Sequence, residues 1–138
     1  MKRTGGCLCG SVRFEVHGEP ASQFLCHCDD CKRQTGSPFS VCVCYDSDKF
    51  KLLKDDNLIG HDMVGDSGKG LSRKFCGKCG APILTKADMA PDATFIKMGA
   101  FDDPSWIRPT LELYTKDRVQ CGVSALDMES HETMPSEF

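Results

Sequence analysis

Val12-Arg13-Phe14-Glu15-Val16-His17 alternates apolar and polar residues without a break, the period-2 signature of a strand with one face in the core. Gly18-Glu19-Pro20 ends it, since proline brings no amide to a ladder and glycine takes turn conformations. The same pattern recurs at residues 39–45, with Phe39, Val41 and Val43 on one face and Ser40, Cys42 and Cys44 on the other. Shorter apolar runs predict strands at residues 50–53, 58–63, 71–75, 94–98 and 111–114, separated by Gly, Asp and Pro clusters. Phe24-Leu25 runs into Cys26, after which Asp29 or Asp30 is expected to cap a short helical turn that Gly36 terminates. No stretch carries a long helical period. The expected fold is mostly β, a domain of short antiparallel strands joined as meanders rather than βαβ units.

At 138 residues the chain fits one domain, residues 1–138, with a polar tail over about 127–138. Hydrophobic residues make up 40% and charged residues 27%, an ordinary globular balance. Net charge is −3 with both signs interspersed, so no basic footprint for a nucleic-acid backbone exists. Met1-Lys2-Arg3-Thr4-Gly5-Gly6 is followed by no apolar run, and no segment reaches the ~20 apolar residues of a membrane span. Neither nucleic acid nor membrane is expected as a partner, and a cytoplasmic location is expected.

That location gives the ten cysteines their meaning, because reducing compartments favour metal binding over disulfides. Three clusters stand out: Cys7-x-Cys9, Cys26-x-Cys28-x-x-Cys31 and Cys76-x-x-Cys79. Cys76-Gly77-Lys78-Cys79-Gly80 is a knuckle whose tight turn aims two thiolates at one ion. Structural zinc takes four ligands, and Gly6-Cys7-Leu8-Cys9-Gly10 is the natural second donor, its glycines allowing the bend that C-x-C spacing needs. The expected structural site is Cys7, Cys9, Cys76 and Cys79; the alternative pairs the knuckle with the middle cluster. Such a site staples the N-terminus to the middle of the chain.

The middle cluster offers three closely spaced cysteines, and three protein ligands leave zinc a fourth position for water or substrate. Cys26, Cys28 and Cys31 are therefore the candidate catalytic ligands, at a site where a substrate thiol is deprotonated and presented to an electrophile. His27 lies between two of them and, in an extended segment, points to the other side, which favours a place behind the ligands or in the pocket, or a solvent-facing ring, over ligation. Cys42 or Cys44 would close the site if either ligated, against the reading of both as core packing. Cys121 reads as a plain thiol.

With these clusters on the page, the chain resembles the family of glutathione-dependent formaldehyde-activating enzymes and centromere protein V. The residues that carry the resemblance are Gly5-Gly6-Cys7-Leu8-Cys9-Gly10-Ser11-Val12, Cys26-His27-Cys28-Asp29-Asp30-Cys31-Lys32-Arg33-Gln34-Thr35-Gly36 and Phe75-Cys76-Gly77-Lys78-Cys79-Gly80, a motif core over residues 5–80. The second half departs: Val119-Gln120-Cys121-Gly122 lacks the tryptophan that members often carry after the last strand, the single tryptophan being Trp106. The resemblance implies a β-rich, tent-like fold, a structural zinc on Cys7, Cys9, Cys76 and Cys79, and a catalytic zinc on Cys26, Cys28 and Cys31.

It further implies a carbon-sulfur lyase chemistry run in reverse, joining glutathione or a similar thiol to formaldehyde or another small aldehyde to give S-hydroxymethylglutathione in the named case. The substrate sulfur would occupy the open zinc position. Lys32 and Arg33, directly after the last ligand, are expected to hold carboxylates of a peptide thiol, Arg33 by a bidentate grip. Gln34 and Thr35 are expected to line the pocket or brace the turn. The competing reading is a non-catalytic zinc-binding interaction module on the same scaffold; a redox sensor built from the middle cluster ranks below both, because bound zinc protects its thiols. Sequence leaves the oligomeric state open.

Overall fold

The computed structural model describes residues 1–121. In chain order the elements are β1 (Lys2–Gly6), β2 (Val12–His17), β3 (Ser22–Cys26), helix α1 (Asp29–Thr35), β4 (Ser40–Asp46), β5 (Phe50–Asp55), β6 (Leu58–Val64), β7 (Gly70–Cys76), β8 (Pro82–Ala87), β9 (Ala93–Lys97) and β10 (Leu111–Leu113). The mostly β expectation holds, and each strand expected from alternation has its counterpart. Two strands had no expectation. β1 carries the polar and glycine-rich Lys2-Arg3-Thr4-Gly5-Gly6 and exists through its ladder with β2, while β8 opens on Pro82, which is tolerated as a first strand residue.

The strands form two sheets, one ordered β1-β2-β5 and a larger one ordered β10-β3-β4-β9-β8-β7-β6. Pairing is antiparallel except at one edge, where Leu111, Glu112 and Leu113 run parallel to Phe24, Leu25 and Cys26. The wholly antiparallel expectation is corrected there. After β9 the chain crosses the small sheet, with Gly5 bridging Phe101 and the Asp102 amide bonding the Thr4 carbonyl. A long excursion of that kind is what a parallel arrival requires.

β2 faces the large sheet. Val12, Phe14 and Val16 are fully buried and join Val43, Tyr45, Ile96 and Ile83 in the main core. Phe14 packs edge-on against Phe101 at 5.4 Å between centroids and tilted against Phe50 at 5.6 Å, so truncating it to alanine should cost about 3–5 kcal/mol.

β4 is covered on both faces. Val43 and Tyr45 enter the main core, while Cys42 and Cys44 join Phe24, Cys26 and Cys31 in a second buried cluster on the opposite face. Register fixes the composition of that second face: Cys26 stands opposite Ser40, Phe24 opposite Cys42, and Cys42 opposite Lys97. Facing residues of a ladder share one side of the sheet, so the middle cysteines, Ser40 and Lys97 are assembled together.

Helix α1 lies at the end of that face. Its N-cap is Cys28, whose Sγ accepts the Cys31 amide at 3.3 Å, and not Asp29 or Asp30 as expected. Both aspartates fall in the first turn instead, where negative charge complements the helix dipole. Gly36 ends the helix as expected, in the left-handed conformation at φ 65°.

Candidate metal centres

Cys7 and Cys9 occupy the turn between β1 and β2, Cys76 closes β7, and Cys79 follows in the turn to β8. Gly80 takes φ 77° and returns its amide to the Cys76 carbonyl at 2.7 Å, which folds the knuckle back on itself. One sulfur from each of the four cysteines lies within 4.8 Å of every other. Sulfurs around a tetrahedral zinc at about 2.3 Å stand about 3.8 Å apart; Cys7 and Cys9 are separated by 3.6 Å, Cys9 and Cys76 by 3.8 Å. The donor set fits zinc in type, number and spacing.

The electrostatics favour thiolates at Cys7 and Cys76. Burial pushes the Cys7 thiol up, but the Val12 amide donating to its Sγ at 3.2 Å, with Ser11, Cys9 and Cys76 beside it, prevails and brings it down to about 5. The Ser11 hydroxyl likewise holds Cys76 below the ordinary thiol range, against its burial and with help from the Cys79 and Lys78 amides. Ser11 Oγ sits 3.2 Å from Cys9 Sγ and 3.3 Å from Cys76 Sγ.

The second grouping is Cys26, Cys28 and Cys31, again with sulfurs mutually within 4.8 Å. Cys26 ends β3, Cys28 caps α1 and Cys31 projects from its first turn. Cys31 is drawn down to about 5 by a hydrogen bond from Cys26, against burial, and helped by Cys28 and by the charges of Lys97 and Arg73. Cys26 is pushed up because it is the donor to Cys31, and burial pushes Cys28 up. The trio thus takes its first negative charge on Cys31. Cys42 and Cys44 pack beside Cys26 and Cys31 without belonging to the ligand grouping.

A family model described as glutathione-dependent formaldehyde-activating enzyme matches residues 2–117 of this chain. The chain belongs to that family. The match runs well past the first-half motifs, and Trp106 within it packs edge-on against Phe101 with the Arg3 guanidinium 4.0 Å over its ring. A crystal structure of a Rhodobacter sphaeroides protein shares the fold, with a TM-score of 0.61 at 18% identity, covering 80% of this chain and 98% of that one. Members of the glutathione-dependent formaldehyde-activating family are generally enzymes.

Within this family frame the remaining expected site residues fall in different places. His27, 3% exposed, turns Nε2 to Glu112 of β10 at 3.0 Å and rests its ring against Phe39, with Nδ1 unpartnered. Lys32 is engaged at both ends of its reach, donating to the Asp117 carbonyl at 2.7 Å and pairing with Asp29 at 2.9 Å. Arg33 and Gln34 line a cleft of about 430 Å³ with His61 and Arg73. Thr35 bonds the Cys31 carbonyl at 2.8 Å and lines a second cleft, of about 580 Å³, together with Ser40, Lys97 and Cys7.

Sequence reasoning missed Arg73, Lys97, Ser11 and Glu112. Arg73 on β7 donates to Gln34 Oε1 at 2.8 Å and reaches Cys31 Sγ at 3.9 Å. Lys97 at the end of β9 donates to Ser40 Oγ at 2.8 Å and lies 3.9 Å from Cys42 Sγ. The alternation of Phe95 and Lys97 against Ile96 was a usable signal for Lys97. Nothing in Leu71-Ser72-Arg73-Lys74-Phe75 distinguishes the buried Arg73 from its exposed-looking neighbour Lys74.

Proposed function

We propose that this chain is a zinc-dependent enzyme of the carbon-sulfur lyase type, adding a thiol such as glutathione to a small aldehyde such as formaldehyde, or reversing that addition. The observation that carries this is the convergence of Cys26, Cys28 and Cys31 on a buried sheet face, with two clefts close by that are lined by the trio's neighbours Ser40 and Lys97 and by Gln34 and Arg73. Cys7, Cys9, Cys76 and Cys79 would hold a second, structural zinc; the two sites give two ions per chain. A bound divalent zinc supplies a Lewis acid that stabilises a thiolate at neutral pH.

In the addition a sulfur-carbon bond forms between the substrate thiolate and the aldehyde carbon. The carbonyl π pair moves onto oxygen, which takes up the proton that the thiol released, and no oxidant or reductant is consumed. The chain's own residues bind and orient. The trio fixes the reacting sulfur on the β3 and α1 side, and Arg33 on the wall of the 430 Å³ cleft offers a charged donor to a carboxylate of the thiol substrate. Gln34 and Thr35 brace the helix that carries Cys31, through Arg73 and the Cys31 carbonyl. The burial of Cys26 and Cys31 excludes bulk water from the reacting sulfur. A reducing, cytoplasmic setting suits ten cysteines that are all free, and no described helix is long and apolar enough to cross a membrane.

The test is exchange spectroscopy on 13C-formaldehyde mixed with glutathione, with and without the zinc-loaded protein. Acceleration of adduct formation and breakdown, abolished in Cys31→Ala, is the expected result. Rates equal to the protein-free mixture across glutathione, cysteine and several aldehydes would sink this reading in favour of a non-catalytic zinc-binding interaction module.

A further inference from the structure

Arg73 and Lys97 are 8% and 6% exposed. Removing a cation from water costs several kcal/mol unless an opposite charge receives it. Among the described residues the ion pairs engage other cations: Lys2, Arg3, Arg13, His17, His27, Lys32, Lys49 and Arg118. Apart from cysteine sulfurs 3.9 Å away, Cys31 for Arg73 and Cys42 for Lys97, the partners of Arg73 are the Gln34 amide oxygen at 2.8 Å and the Met63 sulfur at 3.3 Å, and that of Lys97 is the Ser40 hydroxyl. Neutral oxygens and a thioether satisfy donors but leave the charges unbalanced.

Both cations lean on the sheet face that holds the trio. Arg73 Nη1 stands 3.9 Å from Cys31 Sγ, and Lys97 lies beside Cys42, in the ladder next to the Cys26–Ser40 pair. Each also lines one of the two neighbouring clefts. Three cysteinates around a divalent ion leave one negative charge in excess; a substrate thiolate joining them leaves two. The two buried cations equal that excess.

Resting on the reading of the trio as the thiol-binding centre, we infer that Arg73 and Lys97 are built-in counter-charges that make the site selective for an anionic sulfur donor over a neutral one. They are positioning residues, acting by charge across a few ångströms of poorly screened interior. A site with the same sulfurs and no such cations would carry excess negative charge with a thiolate added, and would favour water or imidazole.

The protein loaded with cobalt in place of zinc tests this, because thiolate-to-cobalt absorption reports the donors directly. Glutathione and imidazole are titrated separately into the wild type, Arg73→Met, Lys97→Met, and the charge-keeping Arg73→Lys and Lys97→Arg, with metal content measured in each. The expected result is glutathione affinity about ten-fold or more weaker in each Met variant, imidazole affinity held or raised, and near-wild-type behaviour in the charge-keeping pair. Equal loss for both ligands, or Met variants that bind glutathione as the wild type does, overturns the inference while the thiol-binding reading stands. A wild type whose cobalt spectrum ignores glutathione overturns both. Should a Met variant fail to fold, its charge-keeping partner decides: loss of thiol selectivity there is fatal to the inference.

Discussion

The two cysteine centres use the same ligand atom and differ in what surrounds it. The four-sulfur centre lies in turns, with Cys9 exposed to solvent, and joins the turn between β1 and β2 to the hairpin of β7 and β8. The three-sulfur centre lies on the covered face of the large sheet, with buried cations beside it that line two neighbouring clefts. Solvent reaches the first through Cys9 although Cys7 and Cys76 are buried, whereas buried protein cations stand against the second. A complete ligand set suits a staple; an incomplete one with buried cations beside it suits a reaction.

The largest effect expected from this contrast is on folding. Cys76→Ser removes one of four ligands that tie sequence-distant segments together, and ligand binding at such a site is folding free energy. The melting temperature should fall by roughly 10 °C or more, and chelation of the wild type should produce a drop of similar size. Thermal unfolding followed by circular dichroism, with zinc measured in the same samples, checks it. A Cys76→Ser protein that melts with the wild type would erase the distinction between the centres.

Cys31→Ala should do the opposite. It should lose one metal per chain and bring adduct formation to the spontaneous rate, while the melting temperature moves by only a few degrees, on the order of 1 kcal/mol in stability. If it instead unfolds as readily as Cys76→Ser, the trio is a second staple and its catalytic assignment fails.

Cys28 separates two jobs in one residue, since its sulfur is both a candidate ligand and the cap of α1. Serine keeps a capping oxygen and alanine does not. Cys28→Ser and Cys28→Ala should be equally inactive, with the alanine variant less stable by about 1 kcal/mol in urea unfolding. Equal stabilities would mean that the Cys31 amide finds another acceptor.

Local pattern made much of this legible. Val12, Phe14 and Val16 announce the strand that builds the core, and the glycine-flanked cysteine pairs announce ligand groups, because both signals lie within a few residues. The parallel edge formed by Leu111, Glu112 and Leu113 was not legible, since it depends on where a long excursion lands. The double burial of β4 was half legible: Cys42 and Cys44 read as core packing, but the residues they pack with, Phe24, Cys26 and Cys31, are set by strand register and helix placement. Arg73 became visible only through strand register, which a single sequence does not display, whereas the alternation around Ile96 already pointed to Lys97. At the helix start the usual capping preference for aspartate lost to a cysteine sulfur already placed for another purpose.

The smallest expected effect sharpens the electrostatic half of the comparison. Arg13 pairs with Asp102 next to the cleft wall that Cys7 shares, but their side chains are 34% and 46% exposed. Hydrogen bonds from Arg13 and then Thr4 hold the Asp102 carboxyl down to about 2, from an ordinary 3.8. A depressed carboxyl contributes stability above its unfolded value and loses it as pH falls through the folded one. The stability gap between wild type and Asp102→Asn should therefore stay level from neutral pH to about 4 and narrow towards 2, and comparing the two proteins cancels the acid-driven metal loss common to both. Because the pair is solvated, the gap should not exceed about 1 kcal/mol and should shrink with added salt. A larger, salt-insensitive gap in urea unfolding would show that charges near the exposed centre are as poorly screened as Arg73 and Lys97, and the two environments would no longer be distinct.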